Sequence, residues 1–181
     1  RAGAARMSFD PIVAFGENAA LPHGRPSTRE LRQGDPILVD MGCFLNDYAS
    51  DMTRMFSLGH PGADFMAVYQ TVLDALNRAA EAARSGMSSS ALDGLARDVI
   101  ASAGLGDSFS HSLGHGVGLE IHEAPSVSYR SDALLPTGAV ITLEPGVYLP
   151  GRFGIRIEDI VRLGPEGCDV ITSSPRDLVV L

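Results

Sequence analysis

The sequence VITLEPGVYLPGRFGIRIEDIVRL occupies residues 140–163 and contains two strand patterns separated by proline and glycine. The first pattern, VITL, ends at Glu144, where a Pro-Gly pair interrupts any strand. The second, FGIRIEDIVRL, alternates with the period of two that sends neighbouring side chains to opposite faces. Arg156 and Glu158 therefore share one face, which predicts that they line a cleft, where buried charges need partners or a metal. Core contacts are predicted for the opposite face, made of Phe153, Ile155, Ile157 and Val161.

Glu144 and Glu158 form one acidic pair, and a second acidic pair lies in the first half of the chain. Asp40 ends the apolar run Ile37–Val39, and Asp51 follows eleven residues later, across the turn-rich segment MGCFLNDYASDMTR. This pattern predicts a hairpin that brings the two carboxylates together. A single acidic residue near a strand end is more often solvated, and we assign that interpretation to Asp47 and Asp159.

Two helices are predicted between the acidic pairs. Asp64 is the expected N-cap of the first, which runs to about residue 85 and ends at Gly86. The second begins near residues 88–90, with Ser90 and Asp93 spaced as a capping box, and ends at Gly104. The other strands are predicted at residues 12–15, 37–39, 139–143, 153–163, 169–172 and 178–181. Strands, two helices and then strands indicate an α+β domain.

Length and composition limit the number of domains and the classes of partner. The chain has 181 residues, of which 45% are apolar, so a single domain over residues 1–181 is predicted. It starts at Arg1 rather than a methionine, and we expect it to lack an N-terminal part of the native protein. A net charge of -8 without any lysine argues against nucleic acid as a partner.

Hydropathy and cysteine usage predict the compartment. No apolar run approaches the roughly 18–20 residues of a membrane helix, and no signal peptide opens the chain, so a membrane partner is not expected. Cys43 and Cys168 are far apart and fit no Cys-x-x-Cys spacing. Free thiols of this kind favour a reducing compartment, and a cytoplasmic location is predicted.

Three of the five histidines fall in HSLGHGVGLEIHEAP, at residues 111, 115 and 122. The glycines of this segment exclude a helix, so the two-histidine helical site of HExxH proteases does not apply, and close backbone approach is predicted instead. A lone histidine is more often a hydrogen-bonded structural residue, but the cluster favours function. The four carboxylates of the two acidic pairs, together with one imidazole from this segment, form a set of mostly oxygen donors that suits Mn, Co or Zn in a two-metal site.

The motifs as a set resemble the M24 metallopeptidases, and most closely their Xaa-Pro dipeptidase (prolidase) and Xaa-Pro aminopeptidase branch. They are LPHGRP (21–26), VDMG and YASDMTR (39–54), SLGHGVGLEIHEAP (112–125), TLEPGVY (142–148) and GIRIEDIV (154–161). The resemblance implies the pita-bread fold, in which two pseudo-symmetric halves enclose a metal pair above a curved antiparallel sheet flanked by helices. It also implies that the full-length protein is a homodimer.

The resemblance implies a role for each matched residue. Asp40 would chelate one metal ion, Asp51 and Glu158 would bridge both, and His115 and Glu144 would bind the other. A water between two cations is acidified and can attack the carbonyl of a peptide with proline at its second position. Glu144 would also shuttle the proton, and His122 would donate to the carbonyl oxygen. The cleft around the proline would be lined by His23, His111, Tyr148 and Arg156.

Alternatives remain open at this point. A methionine aminopeptidase shares the five ligands, creatinase uses the same fold without metals, and some same-fold proteins are binding modules that have lost the ligands. Dipeptidase and aminopeptidase specificity are not distinguished by the motifs. One departure is the hairpin Asn46-Asp47-Tyr48, where relatives commonly have glycine before the tyrosine.

Overall fold

A computed structural model describes residues 3–22 and 28–181. Two α-helices, α1 (Ala63–Ala82) and α2 (Ser89–Ser102), lie between two groups of strands, and short 3-10 helices occupy Gly16–Ala20 and Gly106–Ser108. The first group of strands is β1 (Arg6–Met7), β2 (Ile12–Phe15), β3 (Pro36–Met41), β4 (Cys43–Leu45), β5 (Tyr48–Ala49) and β6 (Met52–Ser57). The second group is β7 (Gly114–Gly116), β8 (Glu123–Val127), β9 (Val140–Leu143), β10 (Gly146–Leu149), β11 (Phe153–Arg156), β12 (Asp159–Leu163), β13 (Cys168–Val170) and β14 (Val179–Val180).

The strands form two main sheets, one built mostly from each half of the chain. The order is β14-β6-β3-β2 in the four-stranded sheet and β13-β12-β9-β7-β8 in the five-stranded sheet. All neighbours in these two sheets pair antiparallel except β14, which runs parallel to β6. The sheets meet where the N–H of Glu158 donates to the carbonyl of Thr53, at 3.2 Å. The predicted α+β class is confirmed.

The hairpin predicted around Asp40 and Asp51 is confirmed, and it contains a smaller hairpin between its two strands. β3 and β6 pair directly, so that Asp40 lies opposite Thr53, and the small β4–β5 hairpin extends between them. Its turn residues Asn46 and Asp47 have φ angles of 50° and 68°. Two consecutive positive φ angles are what a tight two-residue hairpin turn requires, and asparagine and aspartate tolerate them better than most residues. The departure from glycine therefore leaves the hairpin intact.

Helix α1 covers the sheets with one apolar face. Phe65, Val72 and Leu76 are buried in the same core as Ile155 and Ile157, both fully buried. Burial of each such side chain stabilises the fold by about 1.5–3 kcal/mol. The apolar face of α1 thus packs against the apolar side chains of residues 153–161, and the core face predicted for that stretch is confirmed.

The predicted start of α1 needs correction, whereas the predicted start of α2 near residues 88–90 is confirmed with a different cap. The N-cap of α1 is Gly62, and Asp64 lies in the first turn, where its charge still complements the helix dipole. The N-cap of α2 is Ser88, whose side chain accepts from the N–H of Ala91 at 3.2 Å. The predicted Ser90–Asp93 capping box is wrong, because Asp93 is fully buried and binds other groups.

The stretch of residues 153–163 is not one continuous strand. β11 ends at Arg156 and pairs with β10, whereas β12 begins at Asp159 and pairs with β9. The chain changes sheets at residues 157–158, because the N–H of Glu158 bonds to β6 instead of continuing either ladder. The interpretation of Asp159 as solvated is also wrong: it is fully buried between Arg54 and Arg176. Asp47 is exposed, as predicted.

Candidate metal and peptide site

One cavity of about 550 Å³ collects most of the predicted site residues. Those that line it are Asp40, Asp51, His111, His115, His122, Glu144, Arg156 and Glu158. Tyr148 is buried and contacts two of them, His111 and Arg156. His23 lies outside the described residues. Both halves of the chain therefore converge on one cleft, where Asp40 and Arg156 form an ion pair although they are 116 residues apart in sequence.

His115 lies between carboxylates with one ring nitrogen available. Its Nε2 is 3.3 Å from Glu144 Oε1 and 3.6 Å from Asp51 Oδ2. Its Nδ1 is 3.0 Å from the carbonyl oxygen of Gly116, which favours the tautomer that donates from Nδ1. Nε2 then carries a lone pair facing the acids, as in histidines that bind metals. Ligand atoms of Asp51, His115 and Glu158 lie within 4.8 Å of one another.

Two carboxylate oxygens in the cleft are buried without a hydrogen-bond partner among the described residues. They are Oδ1 of Asp40 and Oε1 of Glu158. The other oxygen of each is used: Asp40 Oδ2 accepts from Arg156 at 2.6 Å, and Glu158 Oε2 accepts from Thr53 at 2.7 Å. Leaving a buried charged oxygen unpaired is expensive, and a cation is the partner that satisfies it without a proton. The donor set therefore fits divalent metal ions.

The same crowding shifts the protonation of the acids. Burial, and then the neighbouring charges of Asp40 and Glu144, raise the pKa of Asp51 to about 8. Burial raises the pKa of Glu144 to about 7 against the opposing charge of Arg156, and it raises the pKa of Glu158 as well. Without cations these carboxylates retain protons near neutral pH, because the site lacks enough positive charge. Burial lowers the pKa of His115 to about 4, so its imidazole is neutral.

Arg156 is buried beside the acids and organises one wall of the cleft. Besides Asp40, its guanidinium donates to the Tyr148 hydroxyl at 2.8 Å and to Thr53 Oγ1 at 3.0 Å. The Tyr148 hydroxyl is in turn 2.9 Å from Nε2 of His111. The result is a continuous line of polar groups from Asp40 to His111. His122 is exposed, with its ring 4.1 Å from that of His115.

Sequence reasoning missed two threonines that hold the acids in place. Thr53 bonds to Glu158, as described above, and Thr142 Oγ1 lies 3.2 Å from Glu144 Oε1 and accepts from the N–H of His115 at 3.0 Å. Each lies two residues from a predicted ligand, in Asp51-x-Thr53 and Thr142-x-Glu144. Spacing of two along a strand places side chains on the same face, so this pattern could have identified both.

The glycines around His115 permit close backbone contacts. A Cβ atom on Gly114 would lie 2.0 Å from the carbonyl oxygen of Thr142, and one on Gly116 would lie 2.4 Å from that of Ala124. Side chains cannot fit at either position without displacing a neighbouring strand. The predicted close backbone approach is confirmed, and β7 presents His115 as part of a sheet instead of a helix.

Comparison with known proteins gives consistent matches across the whole chain. The family model described as "Metallopeptidase family M24" matches residues 1–165. The Xaa-Pro dipeptidase of Pyrococcus furiosus is 45% identical over 177 residues, which are 98% of this chain and 51% of that protein. The chain therefore spans about half the length of the curated relatives it matches.

Solved structures agree in fold. The X-Pro aminopeptidase from Thermotoga maritima has a TM-score of 0.96 and 45% identity, covering 99% of this chain and 51% of that one. The Xaa-Pro dipeptidase from Bacillus anthracis has a TM-score of 0.96 and 44% identity, covering 99% and 50%. The predicted pita-bread fold is thereby confirmed. Within the described residues, no helix is long and apolar enough to cross a membrane.

Proposed function

Because the chain belongs to metallopeptidase family M24, as its motifs predicted, we propose that it catalyses two-metal hydrolysis of the peptide bond before proline. The substrates would be Xaa-Pro dipeptides or longer peptides with proline at the second position. One observation carries this proposal: unpartnered oxygens of Asp40 and Glu158 are buried in the cleft that also holds Asp51, His115 and Glu144. A site that crowds four carboxylates together in this way is stabilised by cations.

Each ligand assignment is carried over from the family motif. Asp40 would bind one ion, Asp51 and Glu158 would bridge the pair, and His115 and Glu144 would bind the other ion. The mostly oxygen donor set favours Mn, with Co or Zn as alternatives. The bound cations would supply Lewis acidity for the scissile carbonyl and an acidified water as nucleophile.

The surrounding residues would bind the peptide and move protons. Glu144, a carboxylate beside the proposed cations, would accept a proton from the attacking water and return it to the leaving amine. His122, at the exposed rim of the cavity, would donate to the substrate carbonyl oxygen. Tyr148, Arg156 and His111 form a polar wall suited to the proline end of the substrate, and His23 is assigned to that wall by its motif alone.

The architecture around the site is also part of the proposal. We treat residues 1–181 as one catalytic domain of a longer, homodimeric cytoplasmic enzyme, as predicted from the sequence. The relatives of known structure carry about as many further residues as this chain contains. Whether cleavage stops at dipeptides or extends to longer peptides depends on how the cleft is bounded at its open side.

The relatives and the site support these substrates over three other functions. A methionine aminopeptidase would use the same ligands, but the relatives that are 45% identical include proteins named Xaa-Pro dipeptidase and X-Pro aminopeptidase. A non-catalytic binding module is disfavoured because all five candidate ligands line the cavity. Cleavage of Met-Ala-Ser without cleavage of any Xaa-Pro peptide would establish the first alternative, and full activity after exhaustive chelation would indicate a metal-free, creatinase-like reaction.

The decisive experiment combines substrate, metal and ligand variants. Purified protein is assayed on Xaa-Pro dipeptides and on longer Xaa-Pro peptides, with added Mn²⁺ and with chelator, beside Asp51→Ala and Glu158→Ala. Asp47→Asn is the control, because Asp47 is an exposed carboxylate in the neighbouring hairpin turn and asparagine also tolerates its positive φ angle. We expect Mn²⁺-dependent cleavage that both ligand variants abolish and the control retains. Wild-type rates in the ligand variants would exclude the two-metal mechanism.

A further inference from the structure

Asp93 on α2 is a fully buried carboxylate that the proposed chemistry does not use. Its Oδ1 accepts from the N–H of Leu113 at 2.9 Å, at the start of the segment that carries His115. Its two oxygens also accept from Arg97, one turn further along the helix, at 2.8 and 3.2 Å. The charge is therefore neutralised locally, and the pair faces the loop instead of solvent.

Arg97 binds the same loop at two further points. Its Nη1 donates to the carbonyl of Phe109 at 2.8 Å, and its Nη2 donates to the carbonyl of His111 at 2.9 Å. The guanidinium also lies over the rings of Phe109 and Tyr129, 4.2 and 4.6 Å from their centroids. Only a planar fork can stack on rings and donate in three directions at once, so lysine cannot replace it.

Two short paths lead from this pair into the cleft. The residue fixed by Asp93, Leu113, accepts at its carbonyl from the N–H of Glu144 at 2.8 Å, which ties the loop to a candidate metal ligand. The residue fixed by Arg97, His111, places its Nε2 2.9 Å from the Tyr148 hydroxyl. The candidate ligand Glu144 and the polar wall with Tyr148 are thus both connected to α2. The bonds that Asp93 and Arg97 make to the loop are charge-assisted, and such bonds are stronger than neutral ones.

We propose that Asp93 and Arg97 are positioning residues that hold the 109–113 segment so that His111 meets Tyr148 on the substrate-binding wall. The role rests on the proposed peptidase function, in which that wall receives the proline end of the peptide. Arg97 sets the place of His111 and hence substrate affinity, whereas Asp93 sets Leu113 and the main chain of Glu144. A pair that served only to attach a loop to a helix would affect stability alone.

The test compares Arg97→Lys with Asp98→Asn in the purified protein. Arg97→Lys keeps the charge near Asp93 but loses the fork, and Asp98 is an exposed neighbour on the same helix. Four quantities are measured: kcat and KM on an Xaa-Pro dipeptide, Mn²⁺ affinity by calorimetry, the melting temperature, and the ¹⁵N resonances of the His111 imidazole. We expect Arg97→Lys to raise KM about tenfold, with a smaller change in kcat, and to shift the His111 resonances. Asp98→Asn should match the wild type.

A second variant keeps the test informative if the first is unstable. Arg97→Gln reaches at most the place of Nε and loses both Nη donors to Phe109 and His111, so it should raise KM at least as much as Arg97→Lys. If both Arg97 variants keep the wild-type KM and His111 resonances, the positioning role is wrong even where the melting temperature falls. If the wild type cleaves no Xaa-Pro peptide but Arg97→Lys still shifts the His111 resonances, the positioning of His111 stands and the proposed substrate fails.

Discussion

Thr53 holds Glu158 at both its main chain and its side chain. The Thr53 hydroxyl donates to Glu158 Oε2 at 2.7 Å, and the Thr53 carbonyl accepts from the N–H of Glu158 at 3.2 Å. Thr53 also lies opposite Asp40 in the β3–β6 ladder and accepts from Arg156. A single buried threonine from the first half of the chain therefore aims the candidate bridging ligand of the second half. Glu158 Oε1 is left directed away from this partner and available to a cation.

The Thr53→Val substitution tests this relationship with almost no change in shape. Valine cannot donate to Glu158, and groups that orient metal ligands contribute about 10- to 100-fold to metal affinity. We expect a loss of Mn²⁺ affinity in that range by calorimetry. Thr71→Val on the exposed side of α1, where the hydroxyl bonds to the Ala67 carbonyl of its own helix, is the control. Equal Mn²⁺ affinity in the two variants would contradict a role for Thr53.

Alanine substitutions at two glycines, Gly114 and Gly94, should change the free energy of unfolding in opposite directions. A Cβ at position 114 would meet the Thr142 carbonyl, so Gly114→Ala should push β7 from β9 and destabilise the protein by about 1–3 kcal/mol. Gly94 lies within α2, and a Cβ there would meet no neighbouring element within 4 Å, so Gly94→Ala should stabilise the protein by about 0.5–1 kcal/mol. Urea denaturation of both variants measures the difference. A neutral effect of Gly114→Ala would show that the strands separate at little cost.

Buried and exposed ion pairs of the same residue types should differ in their contribution to stability. Arg54 pairs with the fully buried Asp159 at 2.7 Å and also donates to the carbonyls of Glu158, Ser174 and others, whereas the Arg162–Asp169 pair is exposed. Arg54→Met leaves a buried charge with fewer partners and should cost about 3 kcal/mol or more. Arg162→Met should cost less than about 1 kcal/mol. Chemical denaturation measures the free energy of unfolding of both variants. Similar losses of stability would contradict the predicted effect of burial.

Local patterns predicted the α+β class, the two helices and several of the residues that line the cavity. Strand alternation placed Arg156 and Glu158 on one face, and glycine spacing excluded a helix at His115. These features depend on neighbours within a few residues, which periodicity records. The order of the motifs supplied the rest of the candidate site.

Features that depend on distant partners could not be predicted. Asp159 can be buried because it pairs with Arg54 and Arg176. Arg54 precedes it by 105 residues and Arg176 follows it by 17. The capping box at Ser90 and Asp93 failed for the same reason, because Asp93 binds Arg97 and the distant Leu113. The break between β11 and β12 occurs where β6 offers its own hydrogen bond. Tertiary contacts override local propensity at all of these positions.

The crowded acids predict that the metal-free protein loses stability as the pH rises. The pKa of Asp51 is raised from 3.8 to about 8 and that of Glu144 from 4.5 to about 7, so the folded state binds these protons more tightly than the unfolded chain. Stability is therefore greatest below the unfolded values and is lost as the pH passes through the folded ones. His115 acts oppositely, because its pKa is lowered from 6.5 to about 4 and stability is lost as the pH falls through that interval.

Above pH 6.5 the lowered pKa of His115 has little further effect on stability, so the raised pKa values of Asp51 and Glu144 set the direction there. One pKa unit corresponds to about 1.4 kcal/mol, and the melting temperature should fall by roughly 5–10 °C between pH 6.5 and 8 in the presence of chelator. Saturating Mn²⁺ should reduce or reverse the fall, because cations replace the protons and bind the ionised ligands more tightly at higher pH. Asp51→Asn should flatten the metal-free profile, whereas Asp47→Asn in the exposed turn should leave it unchanged. A metal-free melting temperature that rises over this interval would contradict the crowding of unpaired carboxylates in the cleft.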